Sequence, residues 1–205
     1  MAGNKKRDEH MWEVNFFLGM INFRKNELNK AADYMEQAYT ISDYDYYSLT
    51  NYARILYRKN EFETAREKLN LLPEDMQDYN EKYYNLHGLL AMAENNLKEA
   101  VNYFEQAHQL NLENYYVLNN LGLAQIRREN FQEAKTHLEK AVTQKPDEAY
   151  VYNNLGINYE NLGQLEQAKE YYEKALGINP DHYKAERACY SKKHWRLINN
   201  LFKLC

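Results

Sequence analysis

The sequence predicts an all-α chain of stacked helical hairpins, and three observations carry that prediction. Gly88, Gly122 and Gly156 stand 34 residues apart, as do Ala100, Ala134 and Ala168, and again Ala107, Ala141 and Ala175. Self-similarity at this period belongs to stacked supersecondary units rather than to one globular core. Within each copy the apolar residues recur at three- and four-residue spacing, which lines one face of a helix. Seven Gly and three Pro in 205 residues leave little room for β-turns.

Taken in order, residues 1–11 read as a polar tail. Gly19 stands 12 residues before Ala31 and Ala53 stands 12 before Ala65, the interval that also separates Gly88 from Ala100. Five copies follow, at 12–45, 46–80, 81–114, 115–148 and 149–182. Each reads as two helices joined by a tight turn, marked by Asn26, Asn60, Asn95 and Gly163, residues that tolerate the left-handed conformation ending a helix. The fourth copy departs, with Glu129 in that column and Asn130 after it. In the second copy Pro73 comes early, so its second helix is expected to stop there, with Glu74 to Asn80 as a bridge. Gly or Ala at the eighth place and Ala at the twentieth let paired helices approach closely.

At this point the chain resembles the tetratricopeptide repeat (TPR) family. The fifth copy carries the family pattern as Tyr152, Leu155, Gly156, Tyr159, Gly163, Ala168, Tyr172, Ala175 and Pro180. The fourth carries it as Leu118, Leu121, Gly122, Ala134, Leu138, Ala141 and Pro146. The first two lack the closing Pro, and the third has His87 where Leu is usual and Leu112 where Pro is usual. The resemblance implies a right-handed α-α superhelix, a TPR solenoid of five helical hairpins, that binds partner peptides or proteins in its concave groove.

Composition narrows the rest. The net charge is −4, but residues 183–205 hold six cationic side chains against Glu186, so the repeat body is strongly acidic. Nucleic acid is therefore not an expected partner, because phosphates need a basic footprint. No stretch of about 18 apolar residues exists, and Met1 to His10 contains no apolar signal core, so a cytoplasmic protein is expected. Cys189 and Cys205 are too few for a disulfide framework and are expected to be free thiols.

The resemblance places a partner along the first helix of each copy. The candidate peptide-binding residues are Asn51, Arg54 and Arg58 in the second copy, Lys82, Asn85, Leu89 and Met92 in the third, Asn119, Asn120, Leu123 and Arg127 in the fourth, and Asn153, Asn154 and Ile157 in the fifth. Asn recurs at the fifth and sixth places, so several carboxamides are expected at one depth, resembling the asparagine ladder of peptide-binding TPR superhelices. A carboxamide can pair with the N–H and C=O of an extended peptide, or with a neighbouring helix. Arg24, Arg54, Arg58, Lys82 and Arg127 face only Glu13 and Glu160 in this stripe. A partner with acidic residues or a free C-terminus fits that sign. Phe16, Met20, Phe23, Ile126 and their neighbours are either covered by a partner or packed as core. The carboxylate clamp of chaperone-binding TPR domains is not expected: Asn51 and Lys82 match it, but Phe16, Met20 and Leu86 do not.

Residues 183–205 run Tyr190, Trp195, Ile198, Leu201, Phe202 and Cys205 down one side and are expected to form an amphipathic helix capping the last copy. Membrane-surface binding and self-association are the alternatives. The six histidines show no metal-ligand spacing, and no phosphate-cradling loop or nucleophile motif is present. The sequence therefore reads as a non-enzymatic adaptor without cofactors, with a homo-oligomerising scaffold as the alternative.

Overall fold

The computed structural model describes residues 11–42, 46–73 and 80–180. The expected tail up to His10, most of the bridge after Pro73 and the expected capping helix at 183–205 lie outside the described residues. Within them lie ten α-helices and no strand. They are α1 (Met11–Arg24), α2 (Leu28–Ile41), α3 (Tyr46–Arg58), α4 (Phe62–Leu69), α5 (Glu81–Ala93), α6 (Leu97–Leu110), α7 (Tyr115–Arg127), α8 (Phe131–Gln144), α9 (Ala149–Asn161) and α10 (Leu165–Ile178). The chain divides into two compact units, Met1–Leu112 and Glu113–Cys205. In the N-terminal unit α1 pairs with α2, α3 with α4 and α5 with α6, while α2 packs on α3 and α4 on α5. In the C-terminal unit α7 pairs with α8 and α9 with α10, and α8 packs on α9.

The turn column takes one backbone geometry throughout. Asn26, Asn60, Asn95, Glu129 and Gly163 have φ of 60°, 64°, 63°, 64° and 75°. Each turn closes by the same two bonds, as in Asn26 N–H to Phe23 O at 3.0 Å and Glu27 N–H to Asn22 O at 2.9 Å. This is the Schellman arrangement, which satisfies the last carbonyls of the helix. Glu129 adopts it too, its N–H donating to Ile126 O at 2.9 Å, although a glutamate gains nothing from a left-handed backbone. The second copy differs from expectation in length. α4 ends at Leu69, four residues before Pro73, and Leu72 turns back into the core.

Close crossing explains the small residues. A Cβ built on Gly88 would lie 2.5 Å from the Phe104 ring, one on Gly156 would lie 2.5 Å from the Tyr172 ring, and one on Gly122 would lie 2.6 Å from Leu138 Cγ. The large side chain of the second helix thus rests on the bare backbone of the first. At Gly19 the nearest atom is the flexible end of Met35, at 3.0 Å. His87 occupies a core position on α5, 2% exposed, with its ring 4.4 Å from that of Tyr83 and 5.0 Å from that of Tyr103. Neither ring nitrogen has a hydrogen-bond partner. Burial, reinforced by Arg66 and opposed by Glu94, pushes its pKa down to about 4 from 6.5.

Three outcomes follow from this packing. In thermal melts Gly88→Ala and Gly156→Ala should each lose about 1–3 kcal/mol of stability, because a ring cannot yield as a chain end can. Gly19→Ala should cost less, and Gly177→Ala, with nothing within 4 Å of its Cβ, should gain about 0.5–1 kcal/mol from helix propensity. Glu129→Asn should raise the melting temperature by relieving up to about 1 kcal/mol of backbone strain. His87 binds a proton more readily in the unfolded chain, so its contribution is complete above pH 6.5 and is lost as pH falls toward 4. Urea midpoints measured across that window should fall less steeply for His87→Leu, the difference reaching on the order of 3 kcal/mol.

Candidate peptide-binding surface

The first helices present the candidate residues, and the two compact units present them differently. In the N-terminal unit the cationic side chains of α3 converge on α1. The Arg54 guanidinium lies 4.8 Å from the centroid of the Phe23 ring and that of Arg58 lies 5.5 Å from it. Arg54 Nη2 approaches Met20 Sδ at 3.8 Å, and Arg58 Nη2 donates to Asn26 Oδ1 at 3.4 Å. The spacing of four residues sets both arginines on one side of α3, and Phe23 near the end of α1 supplies a shared aromatic floor. Arg24, Arg58 and Arg127 also sit in the last turns of α1, α3 and α7, where cations complement the helix dipole.

Around that floor Phe16, Met20, Tyr57 and Leu89 are partly buried against the core. Met92 is half-buried, while Lys82 is exposed. Phe16, Met20 and Phe23 are thus neither wholly core nor wholly open. Asn51 Nδ2 donates to the carbonyl of Tyr47 at 2.8 Å, so this carboxamide spends its donor on its own helix. Asn85 is half-buried on α5.

In the C-terminal unit the carboxamides are enclosed. Asn119, Asn120, Asn153 and Asn154 are between 3% and 8% exposed. Asn154 Nδ2 donates to Asn119 Oδ1 at 2.7 Å, a bond joining α9 to α7. Of the two uses open to these carboxamides, Asn119 and Asn154 take the pairing with a neighbouring helix: adjacent first helices approach closely enough for the two buried groups to satisfy one another. Leu123 is half-buried, Ile126 and Ile157 pack against the core cluster, and Arg127 and Tyr116 remain exposed. Glu160 accepts a hydrogen bond from the Tyr172 hydroxyl at 2.8 Å, which withdraws one of the two acids expected in the stripe.

Sequence reasoning missed three polar roles. Asn158, fully buried on α9, donates to the Phe131 carbonyl at 3.0 Å and ties α9 to the start of α8. Asn80 and Asn114 cap α5 and α7, their Oδ1 atoms accepting from Tyr83 N–H at 3.1 Å and Tyr116 N–H at 2.9 Å. An Asn just before a first helix, 34 residues apart in these two copies, was the available signal. Among the described residues no cluster of His, Cys, Asp and Glu is built to hold a metal ion, and no helix is long and apolar enough to cross a membrane.

Comparison with known proteins agrees with this architecture. Tetratricopeptide repeat family models match residues 23–90, 91–156 and 149–182. No curated protein sequence matches. Among solved structures the chain is similar to TTC0263, a thermophilic TPR protein of Thermus thermophilus, at 19% identity over 82% of this chain and 92% of that one, with a TM-score of 0.74. It is also similar to YrrB, described as a TPR protein with an unusual peptide-binding site, at 19% identity over 91% of this chain and 95% of that one, with a TM-score of 0.58. MamA matches at 18% identity over 89% of this chain and 96% of that one, with a TM-score of 0.62. At such identities the likeness speaks to the fold, a helical-repeat superhelix, and not to a shared ligand. With family models covering most of its length, the chain belongs to the tetratricopeptide repeat family, a family of protein–protein interaction modules.

Proposed function

We propose that this protein is an adaptor that binds an acidic segment of a partner polypeptide along the first helices of its N-terminal unit. The observation that carries the reading is the pair of guanidiniums, Arg54 and Arg58, gathered over the single ring of Phe23. Stacking occupies the face of a guanidinium, and its N–H donors lie in the plane, the geometry that receives a carboxylate. Lys82 adds charge of the same sign on α5, and half-buried Met20, Leu89 and Met92 offer apolar contact beside it. Half-exposed Asn51, whose Nδ2 donates to the Tyr47 carbonyl, keeps its Oδ1 as an acceptor for a backbone N–H of an extended peptide.

The first helices of the C-terminal unit offer a stretch of their own. There half-buried Leu123 and Ile157 and exposed Arg127 stand beside the bonded pair of Asn119 and Asn154. The peptide-binding description of YrrB lends the reading family support. A homo-oligomeric scaffold is the second reading, to which the exposed Met11, Val14, Phe17 and Ile21 of α1 lend apolar surface.

An array of immobilised twelve-residue peptides bearing Glu and Asp, beside copies carrying Gln and Asn instead, tests the proposal directly. Acidic peptides should be retained and their amide copies should not, with retention weakening as salt rises from about 50 to 500 mM. Arg54→Gln with Arg58→Gln should reduce binding at least tenfold, the loss of one or two charge-assisted bonds of about 1.5–3 kcal/mol each. Equal retention of acidic and amide peptides by the wild type, or no effect of the double substitution, would overturn it.

A further inference from the structure

Within the N-terminal unit the first helices change chemistry from one to the next. At the ninth place of the repeat α1 offers Met20, α3 Arg54 and α5 Leu89, each partly buried. One turn further on the order returns, with Phe23 on α1, Arg58 on α3 and Met92 on α5. The three helices are neighbours: Arg54 Nη2 lies 3.8 Å from Met20 Sδ across the first gap, and α3 packs on α5 across the second. A segment crossing them therefore meets apolar, cationic and apolar surface in turn. Packed helices lie roughly 8–10 Å apart axis to axis, which is the interval at which a partner must present the matching side chains.

We propose that the partner crosses these helices as a polyproline II segment with an acidic residue at its centre and an apolar residue three positions to either side. The inference rests on the adaptor reading above and adds the conformation and spacing of what is bound. A polyproline II chain turns once in three residues and rises about 3.1 Å per residue, so every third side chain faces the same way about 9.3 Å further on. That interval matches the spacing of the helices. A β-strand does not match it, because its side chains return to one face after about 6.6 or 13 Å.

A partner α-helix comes closer, since seven of its residues advance about 10.5 Å, but its backbone N–H groups are bonded within the helix. Asn51 stands three residues before Arg54 and so on the same side of α3. With its Nδ2 bonded to the Tyr47 carbonyl, its Oδ1 serves a chain whose backbone N–H groups are open, as they are in polyproline II. The acidic residue belongs at the centre because both guanidiniums of the stacked pair stand on α3, between the apolar side chains of α1 and α5.

Fluorescence anisotropy of labelled peptides on the full chain tests the spacing. Each peptide carries one Glu, two Leu and otherwise Ser and Gln, and the members differ only in whether the leucines stand two, three, four or seven residues from the Glu on both sides. The three-residue member should bind about tenfold more tightly than the others, a factor that partial burial of two leucines supplies. Leu89→Gln should remove the gain from one leucine and keep the gain from the other, read with peptides in which each Leu in turn becomes Ser. Met20→Gln should do the same for the opposite leucine, with circular dichroism confirming unchanged helix in both variants. Equal affinity across the series, a preference for two, four or seven, or variants that still gain from both leucines would each overturn the proposal. A series bound alike but lost when Glu becomes Gln sinks the spacing and leaves the adaptor reading standing, whereas binding that ignores the Glu sinks both.

Discussion

Everything in this molecule depends on how closely the two helices of each hairpin can approach. Where Gly88 meets Phe104 and Gly156 meets Tyr172, the contact is between a ring and a backbone, with no space for a single added carbon. That contact sets the distance between helix axes and turns the second helix's largest side chain into the centre of each hairpin's core. Phe104, Leu138 and Met35 are accordingly fully buried, each across from a glycine. The left-handed turn residue then fixes where the second helix starts. Distance and starting point together leave little freedom, and the repeat period follows from them.

The same closeness decides which polar groups remain for a partner. Adjacent first helices in the C-terminal unit meet so tightly that Asn154 reaches Asn119 at 2.7 Å. A buried amide bond of this kind contributes about 1 kcal/mol, whereas leaving either group unpaired would cost more. The pairing therefore orients α7 against α9 and stiffens the surface above it. In the N-terminal unit the places of Asn119 and Asn154 are taken by Phe16 and Asn51, and further along the same helices Phe23 meets the two arginines, so the surface there is cationic and aromatic. At the fifth and sixth places a short Asn ends within the helix–helix gap, whereas the arginines at the ninth and thirteenth places extend past it.

Much of the fold could be read from the sequence because the period, the glycines and the turn asparagines are all local consequences of that one contact. Even Glu129, which breaks the composition of its column, keeps the column's geometry, because the flanking helices dictate the backbone and the side chain merely tolerates it. The early end of α4 was less legible, since Pro73 limits a helix without saying how many turns before it the helix stops. The candidate surface was legible only in part. Placement on a first helix identifies the residue, but burial at the fifth and sixth places depends on the distance to the next first helix, which no single copy encodes. His87 shows the same limit: a histidine where leucine is usual reads as an oddity, and only its enclosure by Tyr83 and Tyr103 reveals that it must stay neutral.

The arginine pair has a physical tension that bears on what it is for. Arg54 and Arg58 are four residues apart on α3, a spacing at which like charges repel by a few tenths of a kcal/mol in a helix. Phe23 offsets part of that, since the negative face of its ring attracts both guanidiniums by about 0.5–1 kcal/mol each at a partly exposed site. A ring, however, carries no net charge, so its contact with the two guanidiniums brings no countercharge of its own. A lysine pair would swing apart into solvent on flexible stems, whereas a guanidinium is planar and more weakly hydrated and keeps closer to an aromatic ring. The ordering cost of assembling a double donor is then largely met in the unbound protein, and an arriving carboxylate gains both the attraction and the relief of the repulsion. For the acidic partner proposed above, that surplus is the physical ground for preferring this pair over arginines that stand separately on a surface.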